Sequence, residues 1–375
     1  MILILGIAIL IPYLFYWGLV LSHLKKEITL KSTEHDTFPE EKISIVCSIR
    51  NEESSLPDFL ENIKNIESIN PNKIHYFFID DLSTDSTAKL LKTFRENAAF
   101  QENISILKTS HDSSGKKQAL NLAITKCTTE WVYITDADCI FTWHSINSLF
   151  HTAITKNAHA VFGPVIYQFK NQFIQSYQAL ENSALMILGN FQSARNNKTM
   201  GNAANMLVNV RSFNAIKPFQ SNIQIAGGDD IFLIESFQQN KLKVETVTFR
   251  NAAVITPVLN NWKDLWHQRI RWAKKSRFQL NSNTRNSQIL IVLFFIALWS
   301  VTGFMVKFVH YEEVAILWGT KILFDLYLLG NINKFYHQKT MLFHKILSSI
   351  FQTIFIPIIA LAQFTSKVHW KNRSY

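Results

Sequence analysis

Trp131-Val132-Tyr133-Ile134-Thr135-Asp136-Ala137-Asp138-Cys139 is the stretch that decides the fold. A short apolar run rich in aromatic and β-branched residues reads as a buried strand. It stops at two carboxylates spaced i and i+2. On a loop, both can face one hard cation, with water and other oxygen ligands completing its shell. An ordinary acidic turn is the plainer reading of the triplet by itself, and its position at a strand end is what argues for more.

The same grammar continues on the N-terminal side. Ile43–Ile49 (ISIVCSI), Ile74–Ile79 (IHYFFI) and Ile104–Leu107 read as strands. Between them Ser54–Ile66, a segment from about Asp85 capped by Asp85 or Ser86, and Gly115–Cys127 read as helices. This alternation predicts βαβ units and an α/β domain with a mainly parallel sheet over residues 42–260. Such sheets bind ligands beyond the carboxyl ends of their strands. Asn51-Glu52, Asp80-Asp81 and Asp136/Asp138 each follow a predicted strand, so three polar groups converge on one edge. Neither GxxxxGK[ST] nor GxGxxG occurs, so bound phosphates are expected to be neutralised by metal and side chains.

Three further clusters have both a structural and a chemical reading. Asp80 and Asp81 precede a helix start, where Asp85 caps; the pair can also accept hydrogen bonds from a base or ribose. Asp229-Asp230, after Gly228, opens another helical pattern; helix-dipole stabilisation is one account and a general base is the other. Gln268-Arg269-Ile270-Arg271-Trp272 lies in an amphipathic stretch, residues 261–286, that suits a membrane interface. Gln268, Arg271 and Trp272 share one helical face, where a guanidinium can grip a diphosphate.

Of the 375 residues, 47% are hydrophobic, and they are concentrated at the two ends. Ile2–Ser22 has no charge and is long enough to span a bilayer at ~1.5 Å per residue. It lacks a basic leader and a small-residue cleavage site, so residues 1–23 read as an uncleaved anchor. Residues 287–366 hold two or three more segments. Ile289–Val306 and Ile346–Thr365 are uncharged, whereas Val314–Gly330 carries Lys321 and Asp325 and reads as re-entrant or interfacial.

The net charge of +10 clusters beside these segments and not along a soluble face, which disfavours nucleic-acid binding. Lys25, Lys26 and Lys31, and Arg269 to Arg285, put the middle domain on the cytoplasmic side. The basic tail, residues 367–375, asks for the same side. An integral protein of a bacterial inner or cell membrane is therefore expected. The three cysteines, Cys47, Cys127 and Cys139, have no metal-ligand spacing, and disulfides are not expected.

TDAD, GGDD and QRIRW, in that order, resemble the membrane-bound family 2 glycosyltransferases with a GT-A fold. That group includes cellulose, chitin and hyaluronan synthases and ceramide glucosyltransferases. Softer matches are SIRNEE at Ser48–Glu53, GKKQALN at Gly115–Asn121, FGPV at Phe162–Val165 and MGNAANML at Met200–Leu207. The resemblance implies that Glu52, Asp80, Asp81, Lys116 and Asp136 surround the nucleotide, and that Asp138, beside Asp136, binds Mg²⁺ or Mn²⁺. It implies that Gly201 and Asn202 line an acceptor pocket and that Asp230 is the base, supported by Asp229. Gln268, Arg269, Arg271 and Trp272 would meet the diphosphate and acceptor. The family usually has Glu at the place of Asp229.

The resemblance further implies inverting transfer from a nucleotide-sugar, usually a UDP-sugar. Lys367–Tyr375 resembles the WKGRxY-type tail of lipid-modifying relatives, with Asn372 in place of the glycine. A lipid or lipid-linked acceptor is the first expectation. A processive polysaccharide synthase, with a partner subunit supplying missing membrane helices, is the second. A catalytically silent nucleotide-sugar-binding scaffold is the third.

Overall fold

Strands β1 (Ile43–Ile49), β2 (Ile74–Asp80), β3 (Ile104–Lys108) and β4 (Trp131–Asp136) form the heart of the protein. The computed structural model describes residues 2–29, 42–69, 71–195, 201–225, 227–276, 282–366, 369–370 and 373–374. Lys31, the linker to Glu41, Met200, Arg277 and most of the basic tail lie outside them.

β1 pairs in parallel with β2 and β4, and β2 in parallel with β3. The sheet extends through β7 (Met206–Asn209), antiparallel to β4, then β5 (Ala160–Phe162) and β8 (Val244–Thr246), giving the order β3-β2-β1-β4-β7-β5-β8. β6 (Val165–Gln168) and β9 (Val254–Pro257) pair separately. The continuous apolar runs follow from burial on both faces. Cys47, Tyr76, Phe78 and Tyr133 pack on one side under α2 (Leu56–Ile69), α3 (Thr87–Asn97) and α5 (Trp143–Lys156). Val46, Phe77, Val132 and Ile134 pack on the other with α4 (Lys116–Ile124), α7 (Val210–Ile216) and α8 (Asp229–Gln239). Each fully buried large side chain contributes about 1.5–3 kcal/mol.

Outside the sheet lie α1 (Ile2–Thr29), α6 (Phe173–Ser193), α9 (Trp262–Ser276), α10 (Ser282–Lys307), α11 (Tyr311–Phe335) and α12 (Leu342–Ala362). Among the described residues, four stretches are long and apolar enough to cross a membrane: Ile2–Lys26, Gln288–Lys307, Tyr311–Phe335 and Leu342–Ala362. The third takes in Val314–Gly330, which lies within α11, one unbroken helix of 25 residues.

The two charges within it, Lys321 and Asp325, are both buried and satisfied. Lys321 Nζ lies 2.6 Å from Asp325 Oδ2, one helical turn away. Tyr13 on α1 donates to Asp325 Oδ1 at 2.7 Å, and Ser349 on α12 donates to Asp325 Oδ2 at 2.6 Å. One carboxylate therefore ties three apolar helices together, the arrangement that makes an ionisable residue tolerable among them.

α6 joins these helices to the α/β domain. Its Tyr177 packs against Phe351 and Phe355 of α12, and Asn190 Oδ1 accepts from His23 Nε2 of α1 at 2.5 Å. α9 lies against α12 through Trp262–Phe351 and Trp266–Phe355, with Leu265 and Ile270 buried between.

Candidate active site

The carboxyl ends of β1, β2 and β4 carry Asn51-Glu52, Asp80-Asp81 and Asp136, side by side, because the three strands are adjacent and parallel. Two backbone positions here are left-handed, Asn51 at φ 49° and Leu82 at φ 55°. Such strain persists only when neighbours enforce it. Arg50 does so, donating from Nη1 to the carbonyls of Asp81 at 2.6 Å and Leu82 at 2.8 Å. Asn51 Oδ1 accepts from the Thr84 backbone at 2.8 Å. Asp80 accepts from the backbone of Ser83 at 2.9 Å. Glu52 accepts from the Ser55 hydroxyl at 2.8 Å, at the start of α2.

Asp81 accepts from Thr109 Oγ1 at 2.9 Å and from Gly115 N at 2.7 Å. Gly115 has φ +112°, a conformation that suits glycine, and it immediately precedes α4. The end of β2 thereby fixes the first residue of α4, Lys116. Its Nζ lies 2.7 Å from Asp136 Oδ1 and 3.0 Å from Asp229 Oδ2. One ammonium thus bridges the TDAD and GGDD segments, which are far apart in sequence. Burial opposes its charge, but the two carboxylates outweigh burial and hold the Lys116 pKa above the usual lysine range. Asp229 responds in the opposite sense. Burial pushes its carboxyl up, and the charges of Lys116 and Lys275 bring it below the usual value.

Gly228 stands at φ +76° just before α8, and a Cβ there would meet the Phe232 ring at 2.8 Å. The turn brings Asp229 to Lys116 and Asp230 to α9. Lys275 Nζ sits 3.1 Å from both Asp230 oxygens. Lys117, next to Lys116, points elsewhere. It donates to Asn222, lies over the Phe232 ring at 4.5 Å, and is pushed down by burial to about 8.

Asp230 opens onto a cavity of about 750 Å³. Its wall includes the polar side chains of Glu181, Asn182, Asn202, Glu235, Arg269 and Lys275. It also includes Ile289, Val292 and Leu293 of α10 and Ile356, Ile359 and Leu361 of α12. Gly201 lines it too; a Cβ there would meet Phe162 at 2.3 Å, so glycine lets the loop lie against that ring.

The QRIRW segment divides. Arg269 and Trp272 line the cavity, with the guanidinium 4.2 Å from the Trp272 ring centroid. Arg269 is buried and ion-paired to Glu181 on α6, at 2.9 Å from Nε and 2.5 Å from Nη2. Burial alone would lower its pKa; Glu181 raises it. Gln268 accepts from Arg269. Gln268 and Arg271 are not among the described residues lining the cavity.

The structure therefore brings Lys116, Asp136 and Asp229 into contact and gathers Asp230, Gly201, Asn202, Arg269 and Trp272 around the cavity. The Lys275–Asp230 and Glu181–Arg269 pairings, and Glu235 in the cavity wall, escaped the sequence reading. Lys275 falls three residues after Trp272 on α9, a helical spacing that marks it in hindsight. Nothing local points from Glu181 to Arg269, 88 residues away.

Among the described residues no group of three or more His, Cys, Asp or Glu side chains could hold a metal by itself. Asp136 and Asp138 are hard oxygen donors, and the Asp136 side chain is 37% exposed, so the pair fits a divalent cation that shares its shell with a ligand's oxygens.

A mainly parallel α/β domain with carboxylates on one sheet edge, beside apolar helices, defines a GT-A-like protein with candidate membrane spans. Residues 44–216 match the model of glycosyl transferase family 2. A similar solved structure is the mannosyltransferase PcManGT from Pyrobaculum calidifontis in complex with GDP-Man and Mn²⁺. It is 16% identical, with a TM-score of 0.60 over 94% of this chain and 99% of that one. At that identity the likeness is one of fold. Glucosyl-3-phosphoglycerate synthase from Mycobacterium tuberculosis, in complex with phosphoglyceric acid, is 16% identical with a TM-score of 0.42. There the match covers 62% of this chain and 78% of that one. A comparison with curated proteins found no match.

Proposed function

We propose that the protein transfers a sugar, with inversion, from a nucleotide-sugar to a hydroxyl of a lipid or lipid-linked acceptor. The observation that carries this reading is the cavity, whose lining includes Asp230 together with apolar side chains of α10 and α12. A soluble acceptor has no need of a binding wall built from membrane-type helices.

The donor would bind across the sheet edge at Glu52, Asp80, Asp81 and Lys116, with a UDP-sugar as the first candidate. The GDP-Man in the similar solved structure makes a GDP-sugar the second to try. Asp138 and Asp136 would hold Mg²⁺ or Mn²⁺ together with the donor's diphosphate, where a divalent ion supplies positive charge to the leaving group. Lys116 already stands between Asp136 and Asp229, so its ammonium adds to that charge. Arg271 and Trp272 would meet the diphosphate from α9. Asp230 takes the proton from the acceptor hydroxyl. The hydroxyl oxygen bonds to the anomeric carbon while the bond to the diphosphate oxygen breaks, and its electron pair leaves with the nucleoside diphosphate. Lys275 keeps Asp230 oriented until the acceptor arrives.

The test is partition of product. Membranes carrying the protein are incubated with labelled UDP- and GDP-sugars and Mg²⁺ or Mn²⁺, then extracted with organic solvent. Label in the organic phase supports this reading. Label in a high-mass aqueous fraction would instead identify a polysaccharide synthase.

A further inference from the structure

We infer that Lys117 is a positioning residue, which holds the Gly228 turn so that Asp229 and Asp230 are presented in place; this rests on the reading of Asp230 as the base.

The first two residues of α4 are lysines with different partners. Lys116 bridges Asp136 and Asp229. Lys117 is 4% exposed, and among the described residues its partners are uncharged. Its Nζ donates to the carbonyl of Asn222 and to Asn222 Oδ1, the latter at 3.1 Å, and stands 4.5 Å from the centroid of the Phe232 ring. Burial without a carboxylate partner disfavours the ammonium, and an apolar side chain of the same length would avoid that penalty. A local rule broken in this way is expected where the residue serves the site.

Both contacts of Lys117 lead to the acidic turn. Phe232 lies one helical turn beyond Gly228, and its backbone N–H donates to the Gly228 carbonyl at 2.9 Å. A Cβ at Gly228 would meet the Phe232 ring at 2.8 Å, so the ring held by Lys117 lies directly against the turn. Asn222 Nδ2 donates to the Pro218 carbonyl at 3.1 Å, and Ser236 Oγ of α8 donates to the same carbonyl at 3.2 Å. Lys117 is thereby tied to α8 by two routes, through Phe232 and through the loop that holds Asn222. The start of α4 is itself fixed by the bond from Gly115 N to Asp81. Lys116 fastens Asp229, Lys117 fastens Phe232, and Asp230 stands between those two residues in the chain. A shift of about 1 Å in a reacting group is worth up to about 100-fold in rate.

The test uses the full chain in lipid vesicles at pH 7 with labelled UDP- and GDP-sugars. Lys117→Met is expected to lower kcat about tenfold or more, with donor KM changed by less than about twofold. Lys117→Arg keeps a cation over the ring and is expected to recover most of the loss. Phe232→Leu is expected to lower kcat in the same way, and the double variant Lys117→Met/Phe232→Leu to be no slower than the slower single one. Amide hydrogen exchange around Asn222 and Phe232 is expected to quicken in Lys117→Met and to return in Lys117→Arg, a readout that needs no turnover. Native kcat in a folded Lys117→Met or Phe232→Leu protein overturns the inference, as does unchanged exchange in Lys117→Met. Equal losses in Lys117→Met and Lys117→Arg, or a loss confined to donor KM, overturn it too. Asp230→Asn separates this inference from the reading beneath it. Native turnover by Lys117→Met beside an inactive Asp230→Asn leaves the base standing, whereas native turnover by Asp230→Asn overturns the base and the inference together.

Discussion

Glu181→Gln tests how α9 is held beside the catalytic edge. The Arg269 side chain is 6% exposed and its guanidinium meets Glu181 through Nε at 2.9 Å and Nη2 at 2.5 Å. Removing one partner of a buried pair costs about 3–5 kcal/mol, chiefly because the remaining charge has nowhere to go. Glutamine retains one acceptor, so the lower end applies, about 3 kcal/mol. At about 2–4 °C per kcal/mol for a domain of this size, the melting temperature falls by roughly 6–12 °C. Arg269→Gln in the same protein removes the stranded charge, and the double variant recovers most of the loss. Because Lys275 rides on the same helix as Arg269, the single variant also loosens Lys275 from Asp230 and lowers kcat. The assay is a thermal melt of detergent-solubilised protein for all four members of the cycle, with turnover beside it. Additive losses in the double variant would refute the pairing argument. A Glu181→Gln protein of normal stability but raised donor KM would move Arg269 onto the diphosphate.

Lys116→Met removes the ammonium between Asp136 and Asp229. Turnover is expected to drop about 100-fold, as for the loss of one preorganised positive group. The same change alters pH dependence. Asp229 is held below its usual 3.8 mainly against burial by Lys116, so its contribution is present above 3.8 and lost only as pH falls through the lowered value. In Lys116→Met the acid limb of stability against pH moves upward.

Lys117 runs the other way. Burial brings its amine to about 8, so between about 8 and the usual 10.5 the unfolded chain binds more protons, and stability rises with pH across that window. Melting temperatures from pH 7 to 10 should show the rise, and Lys117→Met should flatten it. Removal of divalent cations by a chelator is expected to abolish transfer, with recovery on adding Mg²⁺ or Mn²⁺, and Asp138→Asn should raise the metal concentration needed for half-maximal turnover.

The parallel half of the sheet was legible because burial on both faces writes continuous apolar runs. Ile43–Ile49 reads from sequence with the same bounds as β1, and Ile74–Ile79 misses only Asp80. The carboxylates at those strand ends were legible for the same reason, since a parallel sheet aligns its carboxyl ends. In Val314–Gly330 the sequence shows two charges inside an apolar run but not the partners on which their cost depends. Tyr13 and Ser349, which satisfy Asp325, are 312 and 24 residues away. Lys275 and Glu181 were hidden similarly. Both take their meaning from contacts between elements, Lys275 with α8 and Arg269 with α6. QRIRW showed two arginines on one helix but not which would be locked into the fold.

The most direct test of the central claim compares the native protein with Asp230→Asn for nucleotide-sugar binding and for transfer to membrane acceptors. The account predicts equal donor affinity in the two proteins, label in the organic phase from the native one, and transfer lowered by a factor of about 100 or more in the variant. Undiminished transfer by Asp230→Asn would contradict it, as would donor consumption that never places label on a lipid.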